Sequence, residues 1–79
     1  MKLSNFKHIE TKGDSALNKE FFAEVDVTTG FLFWKVTKRR AIRRQFAGHW
    51  HFVDTGKFTP DFQAETLARA YAAQTGVEV

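Results

Sequence analysis

Phe21-Phe22-Ala23-Glu24-Val25-Asp26-Val27-Thr28-Thr29-Gly30 is the stretch whose pattern decides the fold. Phe21, Ala23, Val25 and Val27 alternate with Phe22, Glu24, Asp26 and Thr28, and a period of two marks a strand with one face in a core and the other in water. Thr29-Gly30 then offers a turn, and the alternation resumes from Phe31 to Thr37, so the two runs read as a hairpin. With Thr29 and Gly30 as a two-residue loop, Val27 faces Leu32, Val25 faces Trp34, Ala23 faces Val36, and Glu24 pairs with Lys35 on the opposite face. Three apolar pairs on one side and an ion pair on the other make this the expected register.

Toward the C-terminus, His49 to Asp54 is a third strand candidate, with Trp50 and Phe52 facing one way, His49, His51 and Val53 the other, and Thr55-Gly56 as its closing turn. Between the second and third strands, Lys38 to Gly48 reads as an extended hairpin arm with Ile42 and Phe46 tacked inward. The alternative is a short helix capped by Gly48. The last element is a helix entered through Thr59 as N-cap, Pro60 at the first position and Asp61 at the positive end of the dipole. Ala64, Leu67, Ala68 and Tyr71 form its apolar stripe, thin enough for close packing, and Gly76 supplies a stop.

Residues 1–20 carry no clear period. Phe6 and Ile9 suit a short strand or a single helical turn, Thr11 to Ser15 suits a loop, and the segment is expected to be partly mobile. The expected fold is therefore α+β: a three-stranded antiparallel sheet packed against one C-terminal α-helix over residues 21–79, preceded by a poorly defined segment 1–20. Its core would gather Val25, Val27, Leu32, Trp34, Trp50, Phe52, Leu67 and Tyr71 on one sheet face and leave the other in water.

Seventy-nine residues lie near the lower limit for a domain that folds alone, so large side chains must build the core. Nine Phe, two Trp and one Tyr supply them. The absence of cysteine excludes a disulfide framework and thiolate zinc sites, and suits an intracellular setting. No run approaches the ~20 apolar residues of a membrane span, and no apolar run follows Lys2, so a cytoplasmic protein without membrane contact is expected.

The net charge is only +3, but it is unevenly spread. Lys35, Lys38, Arg39, Arg40, Arg43 and Arg44 are six of the twelve basic residues, and no acid occurs between Asp26 and Asp54. Counterion release from phosphates drives contacts to such a cluster whatever the base sequence, so these six are the candidate nucleic-acid contacts. The arginines would clamp backbone phosphates and Lys35 would lie nearest a groove. Phe31 and Phe33 share the face of Lys35 in the expected register. They could stack on unpaired bases or meet a partner, unless Leu3, Phe6 and Ile9 fold across them.

The arrangement resembles the AP2 and integrase-type DNA-binding domains. The local likeness lies in Phe58-Thr59-Pro60 followed by Glu65-Thr66-Leu67-Ala68-Arg69-Ala70-Tyr71-Ala72-Ala73, which is similar to the family's entry into an alanine-rich helix. The resemblance spans about residues 21 to 75 and implies a three-stranded sheet that enters the major groove. The family's arginine and tryptophan pattern at the start of its sheet is replaced here by Phe21-Phe22, Glu24 and Asp26.

Other chemistry is thinly represented. His49 and His51 share a strand face, but no spacing identifies a third metal ligand in His8 or Asp54. There is no phosphate-cradling glycine loop, no cysteine nucleophile and no serine motif, and Glu24 and Asp26 lie on a strand face rather than in a cleft. The expected activity is noncatalytic nucleic-acid binding, duplex DNA ahead of RNA, with no cofactor and no metal. Sequence preference should be modest, because no Asn or Gln lies on the proposed reading strand. The alternative is a protein-interaction module or homodimer that uses Phe21, Phe22, Phe31 and Phe33, with the arginines answering an acidic protein partner.

Overall fold

The computed structural model describes residues 1–79, the side chain of Phe31 excepted. The alternating run forms a strand, β2 (Glu20–Phe31), and the basic segment continues as a second strand, β3 (Trp34–Gln45). They pair antiparallel along their whole length, from Glu20 opposite Gln45 to Phe31 opposite Trp34. The loop is Leu32-Phe33 rather than Thr29-Gly30, and Val27 faces Lys38 instead of Leu32. Because the partner moves by an even number of residues, every β2 side chain keeps the face that the alternation assigns to it.

Gly30 explains the difference. A Cβ on Gly30 would lie 1.8 Å from the Trp34 carbonyl oxygen, so the glycine serves a close backbone approach inside the ladder and not the turn. The longer pairing also sets Ala23 beside Ile42 and Asp26 beside Arg39.

The sheet has four strands, not three. β1 (Lys2–Lys12) pairs with β2, β4 (His51–Phe52) pairs with β3, and the spatial order β1-β2-β3-β4 follows the chain. The segment expected to be poorly defined is thus largely a strand. Its pattern is hidden by two bulges, between Ser4 and Lys7 and between His8 and Glu10, the first with Asn5 at a left-handed φ of 52°. Each irregularity inserts a residue, so Leu3 and Phe6 both reach the core although three positions separate them. A 3₁₀ turn at Ala16–Asn18 joins β1 to β2.

Helix α1 (Gln63–Thr75) begins three residues later than expected. Thr59 does not cap it: its N–H and hydroxyl both donate to the Trp50 carbonyl, at 3.1 and 3.3 Å. The Pro60 carbonyl accepts the Gln63 N–H, and Asp61 and Phe62, with φ of 48° and 57°, lead the chain into the helix. Gly76 closes it as expected, donating its N–H to the Ala72 carbonyl at 2.8 Å. Gln63 ties helix to sheet, accepting from the Leu3 N–H at 2.8 Å and donating to the Met1 carbonyl at 3.1 Å.

Ala64 and Ala68 are buried against Leu3, Phe21, Ala23, Val25, Val27, Ile42, Trp50 and Phe52. Trp50, 1% exposed, is met edge-on by Phe6 at 5.4 Å. Thirteen helical residues span about 20 Å, whereas twelve strand residues span about 40 Å, so one helix is too short to cover the β2–β3 hairpin along its whole length. The core therefore stops near Val27 and Ile42. Leu32 and Trp34, expected inside it, are each 76% exposed on an arm that runs past the core in a molecule of 46 × 27 × 19 Å.

Candidate nucleic-acid interface

Because β3 is a strand throughout, its alternation divides the six basic candidates between two faces. Lys35, Arg39 and Arg43 lie on the open face with Glu24 and Asp26, while Lys38, Arg40 and Arg44 lie on the face that carries the helix. The cluster is continuous along the chain but not in space.

All four arginines interact with neighbours in the same chain. Arg39 donates to the Asn5 carbonyl at 2.6 Å and to Asp26 Oδ1 at 3.1 Å, and lies 3.6 Å from Glu24. Arg43 reaches Glu20 and lies over the Phe22 ring, whose other neighbour is Lys12. Arg40 pairs with Asp54 at 2.7 Å and stacks 3.8 Å from the centre of the Phe52 ring. Arg44 stacks on Phe21 at 4.2 Å and approaches Trp50, and burial pushes its guanidinium below the ordinary arginine value. The ion pair expected between Glu24 and Lys35 is absent, because in the observed register Glu24 faces Ala41 and its basic neighbour is Arg39.

Asp26 and Asp54 register this pairing. A hydrogen bond from Asn5, reinforced by Arg39, holds the Asp26 carboxyl below the ordinary aspartate value, and Arg40 does the same for Asp54.

Lys35 and Lys38 differ from Arg39, Arg40 and Arg43, which have acidic partners, and from Arg44, which among the described residues lacks one within 4.0 Å but stacks on Phe21. Among the described residues neither lysine has an acidic partner within 4.0 Å. Both stand on the arm, on opposite faces of a two-stranded ribbon. On the open face Lys2 is paired with Thr28, and the hydroxyls of Thr28 and Thr37 are 2.9 Å apart, so Lys2, Thr28, Thr37 and Lys35 form one polar strip. The ribbon ends in Leu32, Phe33 and Trp34, and Phe33 is 94% exposed. The side chain of Phe31, the other stacking candidate, lies outside the described structure.

Leu3 lies in the core, Phe6 packs against it and Ile9 is exposed on β1, and Phe33 is left uncovered by them. Phe21 is buried and Phe22 lies beneath Lys12 and Arg43, which removes both from a Phe-rich contact face. No family model, curated protein or solved structure matches this chain. Its site rests on its own geometry.

Leu32, Trp34 and Val36 were missed as surface residues. The signal was present: Phe31-Leu32-Phe33-Trp34 is too long an apolar run for one strand face to bury. His49 lies edge-on to Phe58 and Phe62 and 3.7 Å from Glu65, while His51 faces Arg43 across the sheet. Among the described residues no three His, Cys, Asp or Glu come together as metal ligands, and no helix is long and apolar enough to cross a membrane.

Proposed function

We propose that the protein is a noncatalytic nucleic-acid binder, of duplex DNA ahead of RNA, and that the β2–β3 arm is its contact element. One observation carries this reading: Arg39, Arg40 and Arg43 have acidic partners within the chain and Arg44 stacks on Phe21, while Lys35 and Lys38, on opposite faces of the projecting ribbon, have no such partner among the described residues. A groove about 12 Å wide admits a two-stranded ribbon and offers phosphates to both of its faces. Lys35, Lys38 and Lys2 would supply charge, and Thr28 and Thr37 would supply hydroxyl donors to phosphate oxygens. Arg39, Arg40, Arg43 and Arg44 then act first as the charge framework of the sheet. The likeness to AP2 and integrase-type domains supports a sheet-borne DNA contact, here through the hairpin rather than a flat face.

The test is an anisotropy titration of labelled duplex, single-stranded DNA and hairpin RNA at two salt concentrations. A Lys35→Ala, Lys38→Ala double variant should bind duplex more weakly, with the salt slope reduced by about 2. An Arg43→Ala, Arg44→Ala variant should lose thermal stability while its folded fraction retains most of its affinity. Absence of binding at low salt would refute the reading. Exposure of Leu32, Phe33 and Trp34 favours a second reading, self-association through the tip. A dimer mass that persists at high salt and is lost in Phe33→Ala would select it.

A further inference from the structure

The tip of the arm is an unusual place for large apolar side chains. A two-residue hairpin loop is best served by small residues that tolerate positive φ, yet here it is Leu32-Phe33, with Leu32 in the left-handed region at φ 54°. Phe33 is 94% exposed, and Leu32 and Trp34 flank it at 76% each. With Leu32, Phe33 and Trp34 all largely exposed, burial in the core does not dictate the apolar character of these three residues.

We propose that Phe33, supported by Leu32 and Trp34, is a wedge that enters between base pairs and kinks the duplex; this rests on the nucleic-acid reading above. Three features fit that role. A flat ring at the end of a narrow ribbon can reach the edge of a base step, and apolar wedges of this kind unstack bases and bend DNA. Lys35 and Lys38 are three residues apart, about 10 Å along the ribbon, and face opposite ways. Phosphates on two groove walls at different depths meet that arrangement, whereas a planar lipid surface would favour cations at one level around the tip. Finally, Leu32 to Lys38 are all exposed, so the described side chains at the end of the ribbon are free to enter a groove.

The test uses a duplex of about 30 base pairs labelled at both ends, so that energy transfer reports its bend while anisotropy of the same sample reports binding. Wild-type protein at saturation is expected to raise energy transfer. Phe33→Ala, at an exposed site where the fold should be unaffected, is expected to lose that rise while affinity falls less than about tenfold. Lys35→Ala, Lys38→Ala is expected to bind more weakly but still bend the duplex at saturation. A second measurement compares a matched duplex with one carrying a single mismatch: wild type should prefer the weakened step by about tenfold and Phe33→Ala should not.

Saturable binding with no rise in energy transfer, or an equal rise with Phe33→Ala, would overturn the wedge and leave the binding reading standing. No change in anisotropy would remove both. Binding to phosphatidylserine vesicles through Trp34 without any duplex bending would overturn the wedge in favour of a lipid surface.

Discussion

Asp26 shows at the scale of single residues how the open face is held. It accepts from Asn5 Nδ2 at 2.6 Å and from Arg39 at 3.1 Å, and Asn5 is also the left-handed residue of the β1 bulge. Its folded-state carboxyl is held below the ordinary aspartate value by the Asn5 hydrogen bond and Arg39, and that of Asp54 by Arg40. A depressed folded value means the contribution is complete above the unfolded value and is lost as pH falls through the folded one. The urea midpoint should therefore drop as pH falls through and below the ordinary carboxylate range, and Asp26→Asn should show a smaller drop on the same acidification. Parallel curves would refute this role. Leu32 gives a second expectation: a left-handed L-residue costs about 1–2 kcal/mol relative to glycine, so Leu32→Gly should increase amide protection in the arm. Trp50→Ala, at the centre of the core, should lower stability by about 3–5 kcal/mol in a denaturant titration.

Among the elements, the β2–β3 hairpin is secured at its base and not at its end. Amides from 21 to 27 lie over buried side chains, whereas those from 34 to 38 lie between exposed ones, so hydrogen exchange should be slow in the first set and fast in the second. Uniform protection would mean that the arm has a further support. Gly30→Ala should splay the ribbon, because its methyl would collide with the Trp34 carbonyl. The faces of β2 were legible from period two alone. The register was not, since pairings that differ by an even number of residues bury the same β2 side chains, and the Thr29-Gly30 turn signal selected the shorter one. β1 was hidden by its bulges, and the helix start by the diversion of Thr59 to the Trp50 carbonyl.

The charge pattern becomes intelligible only for the whole molecule. Along the chain the basic cluster lacks acids, but across the sheet β2 supplies Glu20, Glu24 and Asp26 to Arg43 and Arg39, and Asp54 answers Arg40. Spacing alone marks the basic candidates; only the long register separates Arg39, Arg40 and Arg43, which have acidic neighbours, and Arg44, which stacks on Phe21, from Lys35 and Lys38. Arg39→Ala should therefore lower stability by about 0.2–1 kcal/mol and leave the salt slope of duplex binding unchanged. A slope change matching that of a lysine variant would place Arg39 among the phosphate contacts. The apolar run Phe31 to Trp34 signals that one face cannot bury all of it, but the reach of the arm is illegible for a geometric reason: nothing local says that a helix of about 20 Å will accompany a hairpin of about 40 Å.

The mismatch between helix and hairpin also has an evolutionary side. Beyond Val27 and Lys38 none of the described side chains in the cross-strand pairs is buried, so the reach of the tip can change without recutting the described core. Loss or gain of one facing pair, such as Thr29 with Val36, would turn the distal residues to the other side of the ribbon. Two pairs would restore their direction and alter the reach by about 7 Å. Viable length variants should accordingly differ by two residues in each strand.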